Sequence, residues 1–383
     1  MVSIQVGNHA WNLIAIIAIS GEFPMCSVHL LGNERVYKRK ISQLTTVQSI
    51  INLDTGESMV TKVLTISGRG RDKTIRLHGN GLAILKWFGL YQFYKQMYCK
   101  KNFSGDRPHK ERNHRIAEVF AICMRAGIGF RFDTLPLLQA QARLELFHQQ
   151  TAFYNSLSLK QLQIGELNKI RFTRFVGALF SNNTCYAVYN ARNAVMKWNG
   201  RGELKTQVGL GEIVRMNVGA NSVESAILFA KSDWIALNTI LASKDKASND
   251  FRMDKIYQNI YFLSLDENGM RMIRLFLIPN WREKLMNMLF TPTMRINDLA
   301  PFECDAFING VYVLSYLDGN MARLIHFHSA MKLMKVKFEI LCFPFQVAFL
   351  REYFGKDVPL KTIELAIVED AMSVGRWNEK ESK

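Results

Sequence analysis

Arg69, Arg71 and Lys73 fill three of five consecutive positions in the stretch Ser67-Gly68-Arg69-Gly70-Arg71-Asp72-Lys73. Cations set between glycines suit one chemistry, the contact of a tight loop with phosphate oxygens. Upstream, Arg35, Lys38, Arg39 and Gln43 recur at helical spacing, with Lys40 beside them. A helix carrying them fits a major groove, where Arg35, Arg39 or Gln43 would reach base edges. A third group follows in Lys100, Lys101, Arg107, Lys110 and Arg112, and Arg76 lies between the second and third groups. These fourteen residues are the candidate DNA contacts, and the partner they imply is double-stranded DNA.

Other chemistries are weaker. His109, His114 and Asp106 form the densest polar cluster, but a five-residue His spacing does not bring both rings to one helical face. Glu203-Leu204-Lys205 is half of a nuclease motif, and the preceding hairpin Thr184–Asn190 offers no second acid to complete a metal site. His326-Phe327-His328, read as a strand end, would place two rings on one face, and Tyr186, Tyr189 and Tyr261 could serve as strand-transfer nucleophiles. Such a pair normally precedes its tyrosine, whereas this one comes late. There is no phosphate-binding G-x-x-x-x-G-K-[ST] and no serine nucleophile elbow. No catalytic residue, metal ligand or cofactor is assigned.

The elements that would position the basic groups are legible from punctuation. Asn8 caps a helix over 8–20 that ends at Gly21. Pro24 opens a second helix, 24–31, and Gly32-Asn33 turns into a third, 33–45, with Val36, Ile41 and Leu44 inward. Strands at 61–67 and 73–78 flank the Gly68/Gly70 loop. This order is the layout of a winged helix-turn-helix. An aromatic-rich helix at 82–98, a basic loop at 99–115 and a helix at 112–126 follow. Beyond a weakly periodic stretch to 165, strands and helices alternate. Hairpins are expected at 175–189, 259–278 and 306–327, helices at 210–217, 232–242, 281–290 and 345–354, and strands at 225–229, 337–343 and 358–367. The expected fold is mixed α/β, an N-terminal winged helix-turn-helix followed by a larger α/β domain with a mixed sheet. Its divisions are 1–98, a connector at 99–165, and 166–383.

Charge agrees with this layout. The chain of 383 residues carries 49 Lys and Arg against 33 Asp and Glu, a net +16. Seventeen of those cations and only six acids lie between Asn33 and Arg115. A field so focused predicts a polyanionic partner. Six cysteines without a C-x-x-C pair read as reduced thiols of a cytoplasmic protein. The apolar run Leu13–Ile19 is too short to span a bilayer, so no membrane partner is expected.

The wing Ser67–Leu77 and the helix start Arg112-Asn113-His114-Arg115-Ile116-Ala117-Glu118 resemble the replication-relaxation family of bacterial mobile-element proteins. The similarity to proteins of integrative and conjugative elements extends to Phe175–Asn190 and Phe338–Phe345. It implies a DNA-binding protein acting in replication, relaxation or transfer of a plasmid or conjugative element, with replication or transfer proteins as further partners. Homodimerisation stays open, as do a metal-dependent nuclease or relaxase-like activity and a role in transcription. A polar insertion at 52–58, between the third helix and the wing strands, departs from the family layout.

Overall fold

The computed structural model describes residues 1–99, 107–130, 151–161, 174–182, 184–196, 200–217, 223–242, 252–295 and 302–372. The chain is mixed α/β. Strand β1 (Val2–Ile4) leads into helix α1 (His9–Ser20), capped by the Asn8 side chain, which accepts from Trp11 N at 2.9 Å. Strand β2 (Glu22–Pro24), a 3-10 helix (Met25–Leu31) and α2 (Glu34–Leu44) follow, then β3 (Gln48–Asn52), β4 (Ser58–Thr61), β5 (Leu64–Ser67) and β6 (Thr74–Leu77). The element expected at 24–31 is thus a 3-10 helix. Pro24 itself lies in β2, paired with Thr74. The insertion at 52–58 lies at the turn of a β3–β4 hairpin, to which β1 adds in parallel.

Two small sheets result. One has the order β1–β3–β4, and the other is antiparallel with the order β2–β6–β5. The aromatic helix at 82–98 is broken after Trp87 into α3 (Leu82–Trp87), α4 (Tyr91–Tyr94) and a π-helical turn (Lys95–Cys99). Gly89 adopts a φ of 68° at the break, a conformation that stops a helix.

Helix α5 (Arg107–Arg125) begins well before the expected 112. It packs against α1, β2 and the 3-10 helix on one side and against the large sheet on the other. That sheet contains β7 (Gly129–Phe130), β8 (Ala152–Asn155), β9 (Phe175–Ser181), β10 (Thr184–Arg192), β11 (Ser225–Ala230) and β12 (Asn259–Ser264), in the order β12–β11–β10–β9–β8–β7. The β9–β10 hairpin was legible, while β10, β11 and β12 run parallel. Their crossovers carry α7 (Arg201–Asn217), after α6 (Ser156–Gln161), and then α8 (Asp233–Leu241) and α9 (Met253–Ile256). All of β9 and β11 is buried, as expected for strands covered on both faces.

Two expected hairpins are helical instead. After β12 the chain enters α10 (Glu267–Phe276), because Asp266 caps it by accepting from Gly269 N at 3.1 Å. Helix α11 (Trp281–Leu289) follows. The hairpin at 306–327 is β13 (Ala306–Ile308) with β14 (Val311–Ser315), and then α12 (Met321–Met334), capped by Asn320. Strand β15 (Phe338–Cys342), α13 (Val347–Phe354), β16 (Leu360–Thr362) and α14 (Leu365–Ala371) complete the chain. They form a four-stranded sheet in the order β13–β14–β15–β16. The expected strand 358–367 is therefore a short strand followed by a helix.

One apolar cluster runs from Leu13, Ile17 and Phe23 through Ile116, Val119 and Phe120 of α5 to Phe153, Val188 and Phe276. Each such fully buried side chain contributes about 1.5–3 kcal/mol. The expected boundary at residue 98 does not coincide with a break in this packing. Among the described residues, no helix is long and apolar enough to cross a membrane.

Candidate nucleic-acid interface

Helix α2 starts where Asn33 accepts from Arg35 N and Val36 N at 3.1 and 3.3 Å. Glu34 in its first turn favours the positive helix end and pairs with Lys38 at 2.6 Å. Tyr37, Ile41 and Leu44 form the buried stripe. Tyr37 takes the inward place expected of Val36, which is half-buried. Its ring packs edge-on against His9 of α1, with centroids 5.0 Å apart. Fixing this stripe leaves Arg35, Lys38 and Arg39 exposed, and Lys40 and Gln43 half-buried. Gln43 Oε1 is buried and has no hydrogen-bond partner among the described residues.

The β5–β6 loop is held at its base. Met25 N donates to Lys73 O at 2.9 Å, and Asp72 N donates to Arg69 O at 3.0 Å. Gly68 sits at φ 86°, and a Cβ there would lie 2.4 Å from Asp72 O, so the turn requires glycine. Arg69, Arg71 and Lys73 are all exposed. Arg76 has a different role. It lies in β6 and bonds to Glu22 at 2.8 Å, and Glu22, almost wholly buried, also accepts from Asn113 Nδ2 at 3.3 Å. Arg76 thus neutralises a buried carboxylate at the β2–β6 seam.

Arg107, Lys110 and Arg112 belong to the first turns of α5 rather than to a loop. Arg107 is exposed, and Lys110 Nζ donates to Asp72 O of the β5–β6 loop at 2.8 Å. His114 of the same helix is buried, with Nε2 3.1 Å from Thr74 Oγ1. Burial, then the nearby Arg192 and Lys110, hold its imidazole down to about 3, so the ring is neutral near pH 7. The β5–β6 loop and the start of α5 therefore form one connected basic surface. Lys100, Lys101 and Asp106 lie outside the described residues.

Beneath this surface is a buried ionic cluster that sequence reading missed. Glu118 of α5 is fully buried. It accepts from Ser27 Oγ at 2.6 Å, Asn190 Nδ2 at 3.1 Å, and Arg192 Nε and Nη2 at 3.0 Å. Arg192 Nη1 also donates to Glu111 at 2.8 Å; burial opposes its charge, but Glu118 and Glu111 outweigh that and hold the guanidinium's pKa above its ordinary value. The one signal was a lone carboxylate inside the apolar run Ile116-Ala117-Glu118-Val119-Phe120. Its partners stand 72 to 91 positions away.

The catalytic alternatives do not converge. Glu203 lies in the first turn of α7, not on a strand, and burial pushes its carboxyl up to about 7. His326 and His328 are on helix α12, two positions and roughly 200° apart, so their rings face different surroundings. His326 Nε2 is 3.5 Å from Asp254, whereas His328 packs on Tyr353 and Phe354 at 4.2 and 4.5 Å. Asp305 and Asp318 both bind Arg323, at 2.5 and 3.3 Å. Tyr186, Tyr189 and Tyr261 are buried, and burial raises each phenol. Among the described residues, no three His, Cys, Asp or Glu side chains are grouped to hold a metal. No family model, curated protein or solved structure matches the chain.

Proposed function

We propose that the protein binds double-stranded DNA through a winged helix-turn-helix built from α1 to β6. The observation carrying the reading is the order α1, β2, 3-10 helix, α2, β5, loop, β6, interrupted by β3 and β4 between α2 and β5. In it β6 lies between β2 and β5, and the exposed cations gather on α2 and the loop after β5. The β3–β4 hairpin is an insertion between α2 and β5. In this arrangement α2 enters the major groove with Arg35 and Arg39 toward base edges. Arg69, Arg71 and Lys73 then neutralise phosphates alongside. The bound duplex serves replication, relaxation or transfer of a bacterial mobile element, a context that rests on the sequence resemblance.

The test is binding to labelled duplex across a salt series. Each phosphate contact contributes about 0.9 to the slope of log affinity against log salt. Arg69→Ala/Arg71→Ala should flatten the slope by about 2 and weaken all sequences alike. Arg35→Ala/Arg39→Ala should erode discrimination between sequences as well. Unchanged affinity in both variants would sink the winged-helix reading.

A further inference from the structure

Three guanidinium groups crowd around two carboxylates where α5 meets β10. Glu118 is saturated by Arg192, Asn190 and Ser27. Glu111 accepts from Arg192 at 2.8 Å and lies only within 3.9 Å of Arg115 Nη2. Arg115 is thus left with the poorer geometry, and its Nε is buried without a hydrogen-bond partner among the described residues. Arg174 is the third cation. Its Nη1 donates to Ala191 O and Ala194 O at 2.8 and 2.7 Å, which fixes the side chain to the end of β10. Asn190 Nδ2, one residue earlier, donates to Arg115 O at 3.1 Å. The Arg115 main chain and the Arg174 side chain are therefore both held at the end of β10. Arg107, Glu111 and Arg115 follow at four-residue spacing along one face of α5, and Lys110 of that helix touches the wing.

We propose that Arg115 and Arg174 form a second phosphodiester-binding site, extending the duplex track from the wing along α5 to the large sheet. A phosphate oxygen gives Arg115 the acceptor that Glu111 fails to supply, and a guanidinium fork suits two such oxygens. Burial, then the neighbouring Arg174, hold the Arg115 guanidinium down to about 10, and an anion between the two would relieve that crowding. The inference rests on the duplex-binding reading, but its chemistry is that of any phosphate.

The full chain is therefore tested with two probes, inorganic phosphate by thermal shift and duplexes of one and two helical turns by anisotropy. Arg115→Gln/Arg174→Gln, with Arg174→Gln alone in case the pair fails to fold, is compared with Arg69→Ala/Arg71→Ala. Phosphate should raise the melting temperature of the parent and of the wing variant, and the rise should shrink in the arginine variants. The two-turn duplex should lose about tenfold in affinity, and about 1.8 in salt slope for two contacts, in the paired arginine variant, whereas the one-turn duplex loses little. The wing variant should weaken both duplexes. If phosphate stabilisation responds as expected but no duplex binds, the anion site stands and the DNA reading falls. If the arginine variants match the parent with both probes, the site is overturned while the wing result still judges the DNA reading.

Discussion

Replacing Arg192 with methionine should destabilise the protein severely, because it strands a buried charge. Glu118 is fully buried, and Arg192 is the only cation among the described residues bonded to it. Arg192→Met keeps an apolar stem and leaves a carboxylate with two neutral donors, Ser27 and Asn190. It also frees Glu111 from its closest partner. Breaking one side of a buried ion pair costs about 3–5 kcal/mol. Removing both charges, as in Glu118→Leu/Arg192→Met, is far milder, since two desolvated charges are replaced by apolar groups of similar volume. The orphaned Ser27 hydroxyl and Asn190 amide limit the recovery, so the double variant should regain about 1–2 kcal/mol over Arg192→Met. The assay is urea unfolding followed by tryptophan fluorescence and far-UV circular dichroism, with coincident transitions required. A loss below about 1 kcal/mol in Arg192→Met, or strictly additive effects in the double variant, would refute the reasoning.

Other outcomes follow from the same structure. His114 stays neutral when folded down to about pH 3, whereas an unfolded histidine protonates near pH 6.5, so the unfolded state binds the extra proton in that window. Stability should therefore fall as pH drops from 6.5 toward 3. At pH 5.5, His114→Gln should lose about 1 kcal/mol less than the parent relative to pH 7.5, measured by urea midpoints. Glu203 has the opposite sign. Its carboxyl is raised to about 7, so ionisation at higher pH works against the fold, and Glu203→Gln should stabilise by about 2 kcal/mol at pH 8 with the gain fading toward pH 4.5. Gly68→Ala places a Cβ against Asp72 O at a left-handed φ, which costs about 1–2 kcal/mol locally. The loop is exposed, so the melting temperature should move little, while duplex affinity should drop about tenfold.

The local signals of the chain were readable where one side chain or one face decides the structure. Asn8 and Gly21 bracket α1, and the turn after Phe180 closes the β9–β10 hairpin as its polar residues suggest. Misreadings came where turn-like residues stand at a helix start. In Met321–Phe327 buried residues lie on all sides of the helix, whereas α10 keeps a helical stripe with Arg271 and Arg274 outside it; in both, Asn268-Gly269 and Asp318-Gly319-Asn320 looked like hairpin turns. The decisive clues were the caps Asp266 and Asn320, each three positions before the backbone N–H that it satisfies. In the candidate interface, the exposed cations of α2 and the β5–β6 loop were legible because clustered charge needs no tertiary knowledge. The pairings of Arg76 with Glu22 and of Arg192 with Glu118 and Glu111 were not, because those partners come from distant strands and helices.

Helix α5 has a consequence for dissecting the molecule. One of its sides completes the packing around α1 and β2, and the other covers β9 and β10. A fragment ending at residue 98 would expose the apolar side of α1 and leave Glu22 without Asn113 and Ser27 without Glu118. A fragment starting after Arg125 would strip the same helix from the sheet. Limited proteolysis should therefore yield no stable piece cut between residues 107 and 125, and the two halves should melt as a single cooperative unit.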